Sequence, residues 1–181
     1  MWAGAHVRPI PASDEQLARE AKWLRRAVQV FKRQLKEEPW VGVTAVPGEE
    51  FVGTSDEHYH ARFSDESSFA AESGLDSLEI MSKETLPEGV KFGFSYNTFC
   101  INAPAYCMNM LRKFILQGGK TIQKDLATEW EAFHMAENVA LVVNASGMGF
   151  GDPKCFPTRG TVSLLYFIPD FRIVHKARGN D

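Results

Sequence analysis

What the chain is short of narrows it first. Its 181 residues contain no run near the roughly 20 apolar residues a membrane-spanning helix needs, so no helical membrane partner is expected. Cysteine is scarce: Cys100, Cys107 and Cys155 are odd in number, lack a CxxC spacing and follow no secretory start. That excludes a disulfide framework and leads to an expectation of reduced thiols in an intracellular compartment. Neither sign of charge dominates, with 20 Lys and Arg against 23 Asp and Glu and a net charge of -3. No basic stripe is interleaved with aromatics, so no nucleic-acid partner is expected. Repeats and low-complexity tracts are missing too, which removes solenoid architectures. The last three residues, Gly179, Asn180 and Asp181, form no Ser-Lys-Leu address, leaving cytoplasm and peroxisome both open.

What is present is periodic. After an extended start carrying Pro9 and Pro11, Ser13 and Gln16 have the form of a capping box, and Leu17, Leu24, Val28, Phe31 and Leu35 recur at helical spacing. An amphipathic helix over 14–37 is predicted, its opposite face (Arg19, Lys22, Arg25, Arg26, Lys32, Arg33) being solvated. From Trp40 to Gly89 the pattern weakens into short strand-like pieces and a Ser- and Glu-rich run, read as irregular and exposed. "GVKFGFSYNTFCIN" then alternates Val90, Phe92, Phe94 and Tyr96 against polar or small residues, the period of a half-buried strand.

Asn102 and Pro104 open a helix carrying Tyr106, Met110, Leu111, Phe114 and Ile115, and Gly118-Gly119 closes it. A short segment leads to a second helix near 127–136, and "NVALVVNA" fits a strand covered on both faces, as in a parallel sheet. The second half is therefore α/β. The one change of composition that suggests an internal boundary falls near residue 89.

Candidate chemistry is sparse. Asp56, Glu57, His58 and His60 would gather two imidazoles on one face of a strand, but no third ligand is indicated by spacing, and a surface His-x-His is the plainer reading; no metal is expected. Ser146 follows a strand-like run, yet Asn144 and Met148 stand where a nucleophile elbow needs glycines, so acyl transfer is rejected. Cys100 and Cys107 read as buried hydrophobes rather than a redox pair. Gly147, Gly149 and Gly151 permit close backbone approach to a ligand at the end of a strand, although a plain turn explains them equally well.

In company these glycines mean more. "WAGAH", "LPEGVKFGFSYNTFCINAPAYCMNMLRKFILQGGKT", "VALVVNASGMGFGDPK" and "PTRG", in this order and spacing, resemble the D-amino-acid oxidase family, especially its fungal FAD-dependent oxidoreductase branch, over residues 1 to about 160. The resemblance implies part of a Rossmann-like FAD-binding domain plus part of a mixed-sheet domain that covers the flavin and shapes the substrate pocket. It implies 1–89 as mainly substrate-side structure, 90–152 as FAD-domain structure (helix-strand-helix-strand and glycine loop), and 153–181 as a crossing segment and divergent tail. Ala3, Gly4 and Ala5 match the turn whose amides lie against the flavin ring in the family. Leu126 falls where the family clasps adenine, and Ser146 and Gly147 on the pair that closes over the dinucleotide. The implied chemistry is oxidative deamination of a D-amino acid, with hydride transfer to FAD and reoxidation by oxygen to give peroxide; no catalytic side chain is assigned.

The pattern departs at both ends. The family's first strand and GxGxxG loop are not found within residues 1–181, Thr161 stands where the family has Gln, and the family's substrate-binding Arg is expected beyond Asp181. Weak or absent FAD binding and undetectable oxidase activity are expected of the chain alone. The alternative is an inactive homologue, an interaction or gene-model fragment that associates through exposed sheet edges, as a homo-oligomer or with another chain.

Overall fold

The computed structural model describes residues 4–53, 57–151, 153–154 and 173–177, with side chains described from His6 to Lys154. The chain divides into two compact units. One holds the described residues up to Lys113 together with the last strand, and the other runs from Phe114 to Lys154. The strand that follows the change of composition near residue 89 lies in the first unit. Cys155, and the expectations for Ala3, Asp56 and the tail after Lys154 other than 173–177, fall outside the described residues.

The first unit is a mixed sheet with helices. Strand β4 (Phe92–Asn102) pairs antiparallel along its length with β2 (Val43–Val52), from Val43 opposite Ile101 to Val52 opposite Phe92. Its other edge is shared by two short antiparallel strands, β1 (Gly4–His6) opposite Asn102 to Cys100 and β3 (Asp76–Ile80) opposite Asn97 to Phe94. Strand β5 (Ile173–Ala177) lies parallel to β2, with Gly48 opposite Ile173. Among the described residues this pairing begins one residue after Pro47, and a proline, which has no N–H to donate, is tolerated where a ladder does not need one. Gly48 has a packing reason of its own: a Cβ there would lie 3.0 Å from both the Tyr96 ring and Thr98 Cγ2.

Helix α1 (Glu15–Glu37) forms as the apolar period predicts, but its N-cap is Asp14, whose carboxylate accepts from Leu17 N at 2.9 Å, and not Ser13. The extended backbone at Asp14 puts the side-chain oxygen where the third helical amide points. Residues 40–89, expected to be irregular and exposed, instead supply much of the core. Helices α2 (Glu57–Arg62) and α3 (Glu66–Ser73) bring Tyr59, Phe63 and Phe69 under the sheet, and Asp65 caps α3 by accepting from Ser68 N at 2.9 Å. Hydrogen bonds from the Ser68 amide and hydroxyl hold the Asp65 carboxyl below its ordinary range. Gly74 ends α3 in the left-handed region, with φ of 76°.

The core is aromatic. Phe94, predicted to face inward, is fully buried and touches the rings of Tyr59, Phe63, Phe69, Phe92 and Tyr96 at centroid distances of 5.5 to 6.3 Å. Phe63 and Phe69 meet edge-on at 5.1 Å, the arrangement their ring quadrupoles favour. Helix α4 (Ala103–Leu116) follows β4 directly, and Asn102 Oδ1 accepts from Ala105 N at 3.2 Å. Tyr106 of α4 packs edge-on against Phe31 and donates to Gln34 Oε1 at 3.2 Å. Cys100 is partly buried, but Cys107 is exposed, because it falls on the solvent side of α4 and not on its packed face.

The second unit is built differently. Beyond α4 and Gly118, which has φ of 92°, residues 119–126 and 139–146 form neither helix nor strand ladder among the described residues. The predicted strand over "NVALVVNA" is therefore not formed, and Leu141 and Val143 are 76% and 78% exposed. An apolar run becomes a strand only when a neighbour accepts its hydrogen bonds. The helix expected near 127–136 is reduced to a 3₁₀ segment, Glu129–His134, in which Trp130 and Phe133 stack at 6.0 Å. No described helix is long and apolar enough to cross a membrane.

Candidate cofactor site

The two unpaired segments of the second unit are the walls of a cavity. Leu126 ends one and Ser146 ends the other, and with Lys124, Asp125, Val143 and Phe150 among the lining residues they line an open cleft of about 360 Å³. Leu126, Val143, Ala145 and Phe150 supply apolar surface, whereas Lys124, Asp125, Glu129, Asn144 and Ser146 bring polar groups to the same space. An apolar wall with a few convergent polar groups suits a flat ring carrying hydroxyls or a charged substituent.

Local chemistry fixes the loop that closes it. Asn144 Oδ1 accepts from Ser146 N at 3.0 Å and from Ser146 Oγ at 2.7 Å, a side-chain turn that bends the chain as the extended run ends. Gly147 then takes φ of 63°, and Gly149 N donates to Ser146 O at 3.2 Å. A Cβ at Gly149 would stand 2.7 Å from Ser146 Cβ and Oγ, so the turn is open only to glycine there. Phe150 also adopts a left-handed backbone, φ 61° and ψ 17°, a conformation that costs a side-chain-bearing residue about 1 kcal/mol or more. It remains 42% exposed at the cavity rim, so burial does not offset that strain.

Sequence-predicted residues therefore meet in part. Leu126 and Ser146, 20 positions apart, line one cavity, with Gly147 at the next position. Gly4 and Ala5 lie on β1 in the first unit, opposite Asn102 and Ile101. Ser146 Oγ donates to Asn144 Oδ1 at 2.7 Å. His58 and His60 sit on helix α2, where residues two apart point to different sides, and the His60 ring packs at a tilt against Phe92, centroids 4.3 Å apart. Among the described residues no group of three His, Cys, Asp or Glu is placed to hold a metal. Sequence reasoning missed Phe150 as a lining residue; an aromatic set between two glycines was the available signal.

A second constellation, in the first unit, was also missed. Glu50 on β2 is fully buried, and Arg8, two residues after β1, reaches it with Nε at 2.9 and 3.1 Å from the two carboxylate oxygens. Arg8 Nη2 donates to Glu50 as well and lies 3.5 Å from the Tyr59 hydroxyl. Burial works against the Arg8 charge, but the hydrogen bond and attraction of Glu50 outweigh it and raise its pKa. Burial, reinforced by the Glu50 charge, pushes the Tyr96 hydroxyl far above the ordinary tyrosine value and keeps it neutral.

No protein-family model matches the chain. A D-aspartate oxidase from Talaromyces thermophilus is 36% identical over 168 residues, which cover 91% of this chain and 45% of that protein. The chain thus spans about half the length of the curated relative it matches.

Proposed function

Given that the chain belongs, over the stretch it shares, to the D-amino-acid oxidase family, we propose that it forms part of an FAD-dependent oxidoreductase of D-amino-acid oxidase type. In this reading the mixed sheet of the first unit is part of the substrate-covering domain and the second unit part of the Rossmann-like FAD-binding domain. Bound FAD would take the α-hydrogen of a D-amino acid as hydride and pass the electrons to oxygen, releasing peroxide. The chain's own residues would hold it. Leu126 and Phe150 would offer apolar surface to the adenine, Ser146 and Gly147 would close over the dinucleotide, and Ala3, Gly4 and Ala5 match the turn that serves the flavin in the family.

The observation that carries the proposal is the 36% identity to a D-aspartate oxidase across almost the whole chain, and the convergence of Leu126 and Ser146 on one cavity supports the cofactor assignment. At about 360 Å³ the cavity suits an adenosine moiety better than the larger, three-ringed flavin. Titrating the full chain with FAD, and competing with ADP or FMN, tests this. We expect weak saturable binding of FAD that ADP displaces and FMN does not; absence of saturation, or displacement by FMN as readily as by ADP, contradicts it.

A second reading is an inactive homologue that associates through unpaired apolar segments, and the exposure of Leu141 and Val143 favours it. Gel filtration separates the two: a clean monomer removes the association reading, and a concentration-dependent oligomer without ADP binding favours it.

A further inference from the structure

The proposed reaction leaves the Arg8–Glu50 pair unused. Stability alone is a weak reason for it. Carrying a carboxylate to zero exposure among Tyr59, Phe94 and Tyr96 demands desolvation that a neighbouring charge often only balances, and an apolar residue in its place would commonly do as well. What the pair does achieve is orientation. Glu50 engages Nε and Nη2, the inner edge of the guanidinium, and Tyr59 lies against the same Nη2. The Nη1 edge has no hydrogen bond among the described residues, and the Arg8 side chain is 24% exposed, so the fork is fixed in direction with donors left over.

The segment carrying Arg8 is itself pinned. Val7 N donates to Phe99 O at 3.0 Å, and the buried Thr98 hydroxyl donates back to Val7 O. Arg8 therefore extends from β1, the strand whose Gly4 and Ala5 are proposed to face the flavin, on a backbone held at the preceding residue. A guanidinium with one edge clamped and one edge free is preorganised for bidentate recognition of a carboxylate, because little side-chain entropy remains to be lost. A lysine at the same place would offer a point charge without the fork.

We propose that Arg8, held by Glu50 as a positioning residue, binds the side-chain carboxylate of an acidic D-amino-acid substrate and so sets substrate preference. This rests on the D-amino-acid oxidase reading. The named activity of the T. thermophilus relative, on a D-amino acid with a second carboxylate, is consistent with that chemistry.

The test is binding of D-aspartate to the full chain, read from the arginine side-chain N–H resonances and by calorimetry, with D-alanine and sulfate as parallel probes. The expected result is a saturable shift of the Arg8 resonance with D-aspartate, little response to D-alanine or sulfate, and an affinity lowered about 10-fold in Arg8→Lys. Glu50→Gln, which keeps the shape of the side chain, should also weaken D-aspartate binding. The proposal is overturned by a silent Arg8 resonance in the unsubstituted chain, by an equal response to sulfate or D-alanine, or by unchanged affinity in Arg8→Lys. The readout needs no flavin. Loss of FAD binding with D-aspartate binding intact would sink the cofactor reading alone, and the reverse would sink the Arg8 proposal alone.

Discussion

The two units obey opposite rules with similar residues. In the first, Phe63, Phe69 and Phe94 are fully buried and touch one another, and each strand segment has a partner. In the second, Leu141, Val143, Trp130 and Phe133 are equally apolar, yet they stay exposed, and residues 119–126 and 139–146 form no ladder among the described residues. The difference lies in hydrogen-bond partners and not in hydrophobicity. β4 finds β2 at one edge and β1 and β3 at the other, so its phenylalanines are carried into a common interior. The first unit is organised around its own core, whereas the second is organised around a cavity.

This contrast makes graded predictions. Phe94→Ala removes the ring at the centre of the aromatic cluster and should lower the unfolding free energy by about 3–5 kcal/mol in urea denaturation. Val143→Ala should change it by less than about 0.5 kcal/mol, since that side chain is already in solvent. Equal effects would erase the distinction between the units. Glu50→Ala strands the Arg8 charge and should cost about 2–3 kcal/mol, below the full value for a buried pair because Arg8 keeps contact with water. Gly48→Ala forces a methyl to within 3.0 Å of the Tyr96 ring and Thr98, a loss of about 1–2 kcal/mol measurable in the same experiment.

A further effect lies in the pH dependence. Tyr96 has its pKa raised by folding, so its contribution is fully present below the unfolded tyrosine value of about 10 and is lost as pH rises beyond it. Between pH 10 and 11 this should remove about 1 kcal/mol, and Tyr96→Phe should flatten that part of the alkaline fall. An unchanged alkaline slope in the variant would mean that the Tyr96 hydroxyl is not held neutral.

Legibility in the sequence followed the same divide. Helix α1 and strand β4 could be read because their own periods, Leu24 to Val28 to Phe31 and Phe92 to Phe94 to Tyr96, coincide with the faces they bury. Strand β2 was obscured by Pro47 and Gly48, and the fit of Gly48 depends on the Tyr96 ring and Thr98 opposite. Tyr59, Phe63 and Phe69 were hidden among Ser and Glu, since α2 and α3 are too short to establish a period. Over 139–146 the error ran the other way, because an apolar run says nothing about whether a neighbour exists to pair with it. At the candidate site, Leu126 and Ser146 were matched by resemblance, and only folding brings them to one cavity. Phe150 and the Arg8–Glu50 pair, 42 positions apart, depend on contacts that no local pattern encodes.

Amide hydrogen exchange of the full chain, with and without ADP, addresses the central contrast most directly. The predicted result is strong protection of β2 and β4 that ADP leaves unchanged, and weak protection of 124–126 and 142–150 that rises when ADP is added. Protection of 142–150 equal to that of β4 without ligand, or no change there with ADP, would contradict both the core-versus-cavity division and the cofactor site.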